Sequence, residues 1–564
     1  VDLPVSRPCR HRHGLRLCAA ERRPFKDDQT MTKSSAPLLS IRDLSVSFGD
    51  VSVVRNVSFD LHPGEVLGIV GESGSGKSIT CRALMGLLPE YAQVSGQIRF
   101  DGQDMTRADT TAMRALRGRY MSMIFQNPSS HLDPLRTIGH HIAEPIRLHR
   151  TASNVTDRVL EILRAVRIND PAQRMRAYPH ELSGGMKQRV MIGGAIACAP
   201  RILLADEPTT ALDVTVQAHI LKVLRDLNRE LGLAVILVSH DLAVVAQMCD
   251  RVLVMRSGEV LEQGSSAEIL RNPGHDYTRL LIASQPDRLE LPPRPVPGET
   301  SLFSIRNLDV TYQTGGLLGR GRGVRALQDV SLDIRKGECF GIVGESGSGK
   351  STMAKVLMRL VTPSSGQVLY RGADVHGLHG NDLLGYRRKV QMAFQNPFDS
   401  LNPAMTVIEA IAEPLRRHGL ADAATARKRA LEMMALVELP EEYAHRRPRQ
   451  LSGGQCQRVG IARALILDPE VLVADEITSA LDVTIQAQIL RLLARLRRER
   501  DLTVIYISHD LDVVRKLCDR IAVFRAARLV ESGETAQVLD QPQSEYTALL
   551  RDSVPRMHAD HISI

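Results

Sequence analysis

Eight residues, GESGSGKS, run from Gly71 to Ser78 and recur unchanged from Gly344 to Ser351. The pattern G-x-x-x-x-G-K-[ST] suits an anion because glycines let successive backbone N–H groups turn inward, where a Cβ would obstruct them. Gly71, Glu72, Ser73, Gly74, Ser75 and Gly76 form one such nest, and Gly344, Glu345, Ser346, Gly347, Ser348 and Gly349 the other. Lys77 and Lys350 then put an ammonium on the β- and γ-phosphates of a nucleotide, and the Ser78 and Ser351 hydroxyls ligate Mg²⁺. An apolar run precedes each loop (66–70 and 339–343) and a helix-compatible stretch follows (79–88 and 352–360). That is the strand, loop, helix order a phosphate site requires. A single Gly-rich turn before a helix can be purely structural; two identical copies make that reading a poor one.

The repetition extends well beyond the loops. Lys350 follows Lys77 by 273 positions (350 − 77), and Gln395, Ser452, Glu476 and His509 follow Gln126, Ser183, Glu207 and His240 by 269 (395 − 126, 452 − 183, 476 − 207, 509 − 240). The chain is a tandem duplication. A Gly/Arg-rich insert at 315–323 distinguishes the second copy and falls where a hairpin tolerates added length. Pro286, Pro292, Pro293, Pro295 and Pro297 mark a stiff, extended linker. The expected organisation is therefore a basic disordered leader at 1–36, a first unit at 37–285, a linker at 286–300 and a second unit at 301–564. The leader's alternative is a natural start downstream, near Met31.

Within each copy, apolar runs alternate with helical stretches: 201–205, 234–238 and 251–255 in the first, 470–474, 503–507 and 520–524 in the second. This predicts an α/β fold with a mainly parallel sheet and its ligand at the carboxyl ends of the strands. Val155, Val159, Ile162, Leu163 and Val166, like Leu431, Met434 and Val437, fall at helical spacing and are expected to be core contacts of a helical subdomain.

Two further words carry chemistry. Apolar strands end in Asp206-Glu207 and Asp475-Glu476, delivering Asp206 and Asp475 toward Mg²⁺ and Glu207 and Glu476 toward an attacking water. The words Leu182-Ser183-Gly184-Gly185-Met186 and Leu451-Ser452-Gly453-Gly454-Gln455 each precede a helix. Alone, Ser-Gly-Gly is an N-cap. Beside the phosphate loops and acidic strands, it resembles the signature of ATP-binding cassette (ABC) ATPases, and the likeness covers nearly everything from about residue 38 onward.

That resemblance implies two tandem ABC cassettes, each with a mainly parallel P-loop core, an antiparallel β portion and a helical subdomain. By likeness, Phe48 and Tyr312 stack on adenine, and Gln126 and Gln395 line the Mg²⁺ and water site. Asp213 and Asp482 connect the two sites, and His240 and His509 are switch histidines on the γ-phosphate. The metal set is Ser78, Gln126 and Asp206 in one copy and Ser351, Gln395 and Asp475 in the other. The cassettes pair head to tail, so one ATP lies between the first phosphate loop and Ser452, Gly453, Gly454 and Gln455. The second lies between the other loop and Ser183, Gly184, Gly185 and Met186. Glu207 and Glu476 are the general-base candidates. Ile477 stands where proline is usual and Cys456 where a basic residue is usual, and neither removes a chemical group, so both sites are expected to turn over, though not necessarily equally.

The choice among ABC proteins rests on what surrounds the cassettes. No apolar run of about 18 residues is present, the length that spans a bilayer, so the chain is not itself a membrane-embedded pore. Eight cysteines without zinc spacing suggest reduced thiols. Lys and Arg number 72 against 64 Asp and Glu, an excess of +8 that reads as solvated surface, with no nucleic acid expected. The stretches Asn127-Pro128 to Pro134 and Asn396-Pro397 to Pro403, and the tails around Tyr277-Thr278 and Tyr546-Thr547, resemble the peptide, nickel and glutathione importer class. Asp276 and Glu545 depart from the usual proline of that tail. The likeness implies the fused ATPase subunit of an ABC importer that energises uptake of oligopeptides, dipeptides or related small solutes, peripheral on the cytoplasmic face of the inner membrane. It would be docked on two transmembrane permeases fed by a periplasmic or surface solute-binding protein. A soluble tandem ABC ATPase acting on ribosomes or nucleic acid is the alternative.

Overall fold

The computed structural model describes residues 36–106, 108–210, 212–313, 323–479 and 481–557. The expectations for the leader up to residue 35 and for the insert at 314–322 lie outside the described residues. The first cassette contributes β1 (Leu39–Phe48), β2 (Val51–Leu61), β3 (Val66–Val70), β4 (Ala92–Phe100), β5 (Gln103–Asp104), β6 (Met121–Ile124), β7 (Ile202–Asp206), β8 (Ala234–Ser239), β9 (Arg251–Arg256) and β10 (Glu259–Ser265). The second contributes β11 (Ser301–Gln313), β12 (Gly323–Arg335), β13 (Cys339–Gly344), β14 (Ser365–Tyr370), β15 (Ala373–Asp374), β16 (Val390–Ala393), β17 (Val471–Asp475), β18 (Thr503–Ile507), β19 (Arg520–Arg525) and β20 (Arg528–Glu534). The strands start and stop within about a residue of the expected apolar runs.

Each cassette holds a four-stranded antiparallel sheet, ordered β2-β1-β4-β5 or β12-β11-β14-β15, and a six-stranded core sheet, ordered β10-β9-β3-β8-β7-β6 or β20-β19-β13-β18-β17-β16. The core pairs β3·β8, β3·β9, β7·β8 and β6·β7 are parallel, and only β10 runs antiparallel. Every residue of β3, β7 and β8 is buried, which is why these strands read as unbroken apolar runs without alternation. The order β3-β8-β7 sets the phosphate loop, His240 and the Asp206-Glu207 pair side by side at the carboxyl edge, where an open parallel sheet holds its ligand.

The helical subdomain forms as its periodicity predicts. In helix Ile138–His149 the buried residues Ile138, Ile142 and Ile146 make one stripe, and Val159, Ile162 and Leu163 do the same in helix Val155–Ala165. Both pack with Val190, Ile192 and Ile196 of helix Gly184–Ile196. Val155 and Leu431 sit at the rim, half-buried, while Val166, Met434 and Val437 are buried. Between cassettes, Leu289 is buried in the core of the second, and Val296 is 94% exposed. Val483 of the second cassette packs into the core of the first. No helix among the described residues is long and apolar enough to cross a membrane, and the six described cysteines are free.

Candidate functional site

Glycine is required in the phosphate loops at points the backbone makes explicit. Gly71 has φ +152°, and a Cβ there would lie 2.1 Å from Met255 O; Gly344 has φ +146° and the same clash with Phe524 O at 2.1 Å. Gly76 and Gly349, at φ +100° and +108°, would drive a Cβ to 2.9 Å from Val53 O and 2.5 Å from Ala326 O. The loops are thus held tight against β2 and β12, the strands beside which Phe48 and Tyr312 stand near the ends of β1 and β11. The Phe48 ring packs edge-on to Tyr91 at 5.9 Å, and Tyr312 is exposed.

Both loop lysines are buried and turn back onto their own loops. Lys77 Nζ donates to Gly71 O at 2.7 Å and Glu72 O at 2.8 Å, and Lys350 Nζ donates to Gly344 O and Glu345 O at 2.8 Å each. Burial lowers both ammonium pKa values against the pull of the surrounding carboxylates. Ser78 Oγ donates to Asp206 Oδ1 at 2.8 Å, and Ser351 Oγ to Asp475 Oδ1 at 3.4 Å. Burial raises both aspartates, a cost that a cation beside the serine would relieve. The oxygen donors of Ser78, Asp206 and Gln126 suit a hard ion such as Mg²⁺. No cluster of three or more His, Cys, Asp and Glu is arranged to hold a metal among the described residues.

Glu207 and Glu476 follow the ends of β7 and β17 with φ +47°, the left-handed region. For a non-glycine side chain this is a strained backbone of the kind that clusters at functional sites. Gln126 Nε2 donates to Glu207 Oε2 at 2.7 Å, and Gln395 Nε2 to Glu476 Oε2 at 2.7 Å. His240 and His509 place Nδ1 3.6 Å from the same carboxylates. Burial alone would raise Glu207, but the hydrogen bond and charge of His240, with Thr210 and Lys77, bring it down to about 2. Glu476 is lowered by His509 against the same burial. Burial would lower both histidines, and their glutamates raise them instead.

The signatures cap their helices. Ser183 Oγ accepts from Met186 N–H at 3.4 Å and Ser452 Oγ from Gln455 N–H at 3.3 Å. Gly185 and Gly454 admit close packing: a Cβ would lie 2.4 Å from Val216 and from Ile485, in the first turn of helices Val214–Leu231 and Val483–Arg500. Those first turns cross to the other cassette. Asp482 Oδ1 accepts from Ser73 N–H at 2.6 Å, and Asp213 Oδ1 from Ser346 N–H at 2.6 Å. Thr215 Oγ1 donates to Glu345 Oε1 at 2.6 Å, and Thr484 Oγ1 donates to Glu72 Oε1. Each phosphate loop therefore bonds to the segment against which the opposite signature packs.

Within each cassette the structure links the loop serine to the aspartate, and the glutamine and histidine to the glutamate. Across cassettes it links Asp482 and Asp213 to the opposite loops, while the signature residues, Phe48 and Tyr312 have their described contacts within their own cassette. Sequence reasoning missed Thr210, Thr215 and Thr484. Their signal was faint, a hydroxyl repeated at a fixed distance after the acidic pair and after the Leu-Asp of each connecting loop.

The ABC transporter family pattern matches residues 54–210 and 327–479, and the oligopeptide/dipeptide transporter C-terminal region matches 261–299 and 530–563. The glutathione import ATP-binding protein GsiA of Shigella dysenteriae serotype 1 (strain Sd197) is 42% identical, with 92% of this chain and 89% of that protein aligned. The peptidoglycan transport ATP-binding protein YejF of Agrobacterium fabrum (strain C58 / ATCC 33970) is 43% identical, with 92% and 96% aligned. Among solved structures, a dimeric ATP-binding cassette in a post-hydrolysis state bound to ADP and Pi is 36% identical, covers 41% of this chain and 98% of its own, and gives a TM-score of 0.38. With both family regions present in each half and relatives aligned along most of its length, the chain belongs to the ABC transporter family, as an ATP-binding, ATP-hydrolysing subunit that carries both cassettes.

Proposed function

We propose that this chain energises import of glutathione, oligopeptides or similar small solutes from the cytoplasmic face of the inner membrane, bound to two permeases that receive solute from a binding protein. The observation that carries this reading is the oligopeptide/dipeptide transporter C-terminal region, matched in both halves of the chain. The name of GsiA specifies glutathione import and that of YejF peptidoglycan transport, and the first supports this cargo directly.

Each ATP is held by one cassette's phosphate loop and covered by the other's signature helix, whose N-terminal N–H groups meet the γ-phosphate. Lys77 with Ser452, Gly453, Gly454 and Gln455 makes one site; Lys350 with Ser183, Gly184, Gly185 and Met186 makes the other. Phe48 and Tyr312 take the adenine. Ser78, Gln126 and Asp206, and Ser351, Gln395 and Asp475, are the residues that would hold Mg²⁺, which neutralises phosphate charge when bound. Glu207 and Glu476 accept the proton of the attacking water, a role worth about 10² to 10⁴ in rate. His240 and His509 contact the γ-phosphate, and Asp213 and Asp482 tie each site to the other. Closure on ATP and opening after hydrolysis shift the permeases between their two states.

The test is co-purification with a detergent-solubilised permease pair, followed by ATPase assays in the presence of a loaded binding protein. Stimulation by the loaded binding protein is expected. Stimulation by ribosomes or RNA, with no response to permeases, overturns the import reading.

A further inference from the structure

Each C-terminal extension sets one buried tyrosine behind a phosphate loop. Tyr277, on helix Asp276–Ala283, accepts a hydrogen bond through its hydroxyl from Glu72 N–H at 3.1 Å; Tyr546, on helix Glu545–Asp552, accepts one from Glu345 N–H at 3.2 Å. The two rings are 2% and 3% exposed. Arg256 and Arg525, at the ends of β9 and β19, lie over them at 4.7 Å from the ring centroids. Burial pushes both phenols up to about 12, so the neutral hydroxyl is available as an acceptor throughout the neutral range.

The residue thus held also bridges the cassettes. Glu72 gives its N–H to the tyrosine of its own cassette and takes the Thr484 hydroxyl of the other on its carboxylate; Glu345 does the same with Tyr546 and Thr215. Leu281, from the same helix as Tyr277, lines a narrow crevice with Gly71, Glu72, His240, Asp482 and Val483. The extension therefore reaches the phosphate loop from behind and the opposite connecting segment from the side. An N–H committed to tyrosine fixes the second residue of the loop, and a loop ordered in advance loses less entropy when ATP binds.

We propose that Tyr277 and Tyr546 are positioning residues for ATP capture: their hydroxyls hold Glu72 and Glu345 in the pose from which these carboxylates engage the opposite cassette. By this route the C-terminal extension sets both ATP affinity and the pairing of the cassettes. The proposal rests on the reading that the two sites bind and hydrolyse ATP.

The test uses the full chain with Tyr277→Phe, Tyr546→Phe and the double variant, which keep the ring and remove the hydroxyl. The double variant is expected to raise KM for ATP, and Kd for a fluorescent ATP analogue, about fivefold to tenfold, the scale of one lost hydrogen bond, with kcat within about twofold. Its nucleotide-free melting temperature falls by no more than a few degrees, while the rise on adding ATP shrinks. Adding Thr215→Val and Thr484→Val to the double variant raises KM by less than the same pair does in the wild type. Three results overturn the proposal: unchanged KM and Kd, a lowered nucleotide-free melting temperature with the ATP-induced rise intact, or additive threonine effects. Should the double variant fail to fold, each single variant supplies the same comparisons. A wild-type chain that neither binds nor hydrolyses ATP defeats the functional reading instead; with an active wild type, the tyrosine result judges this proposal alone.

Discussion

Glu207 and Glu476 occupy equivalent places, yet among the described residues three side chains hold the first carboxylate and two the second. Gln126, Thr210 and His240 surround Glu207, with Thr210 Oγ1 donating to Oε2 at 2.9 Å. In the second cassette Ser479 Oγ instead donates to the backbone carbonyl of Glu476 at 3.0 Å, leaving Gln395 and His509 as the carboxylate's partners. The signatures differ as well. Gln455 Oε1 accepts from Ser452 N–H at 2.9 Å and closes a capping box, a bond that the thioether of Met186 replaces poorly. Because the cassettes exchange partners, the more firmly held base and the closed cap are proposed to meet at the Lys77 site, and the less constrained base and the open cap at the Lys350 site. Duplication therefore preserved the reactive groups while the residues that restrain them diverged.

The largest expected effect treats both sites alike. Glu207→Gln with Glu476→Gln lowers turnover by about 10² to 10⁴ and leaves ATP binding intact; near-normal hydrolysis in the double variant removes both glutamates from the base role. The two single variants then show whether the sites contribute equally. Next in size, Thr210→Val removes a hydrogen bond to the charged form of Glu207. It is expected to change kcat by about threefold to tenfold and to move the acid limb of the pH profile upward. Thr210→Ser restores the wild-type profile, and Ser479→Val leaves it unmoved because that hydroxyl bonds the Glu476 backbone carbonyl and not its carboxylate. Equal responses to Thr210→Val and Ser479→Val would erase the distinction.

Smaller still, Gln455→Met opens the second cap and Met186→Gln closes the first, shifting stability in opposite directions by about 0.5 to 1 kcal/mol. Differential scanning calorimetry without nucleotide measures both. The smallest effect is the pH dependence of that melting temperature. Glutamate raises the folded-state pKa of His240 and of His509, so their contribution is complete below the unfolded value of about 6.5 and is lost as pH rises through the folded value. His240→Gln and His509→Gln should each flatten the decline on the alkaline side; a slope unchanged in both variants shows that the pairs do not stabilise the nucleotide-free chain.

What the sequence alone determined is what local spacing encodes. Two loops of identical residues, apolar strands ending in acid, and Ser-Gly-Gly before a helix each place their groups within a few residues of a strand end or a helix start, where backbone geometry leaves little choice. From these the duplicated α/β plan was legible, together with the serine–aspartate and glutamine–glutamate–histidine contacts of each cassette. Tertiary structure alone decided which groups meet across long separations. The Asp482 carboxylate reaches Ser73 N–H from 409 residues away, and the Tyr277 hydroxyl reaches Glu72 N–H from 205. It also decided that Glu207 and Glu476 sit at positive φ, and that Thr210 turns to a carboxylate while Ser479 turns to a carbonyl. Such pairings leave no periodic trace in a single chain, because they follow from how two packed cassettes bring their strand ends and helix starts together.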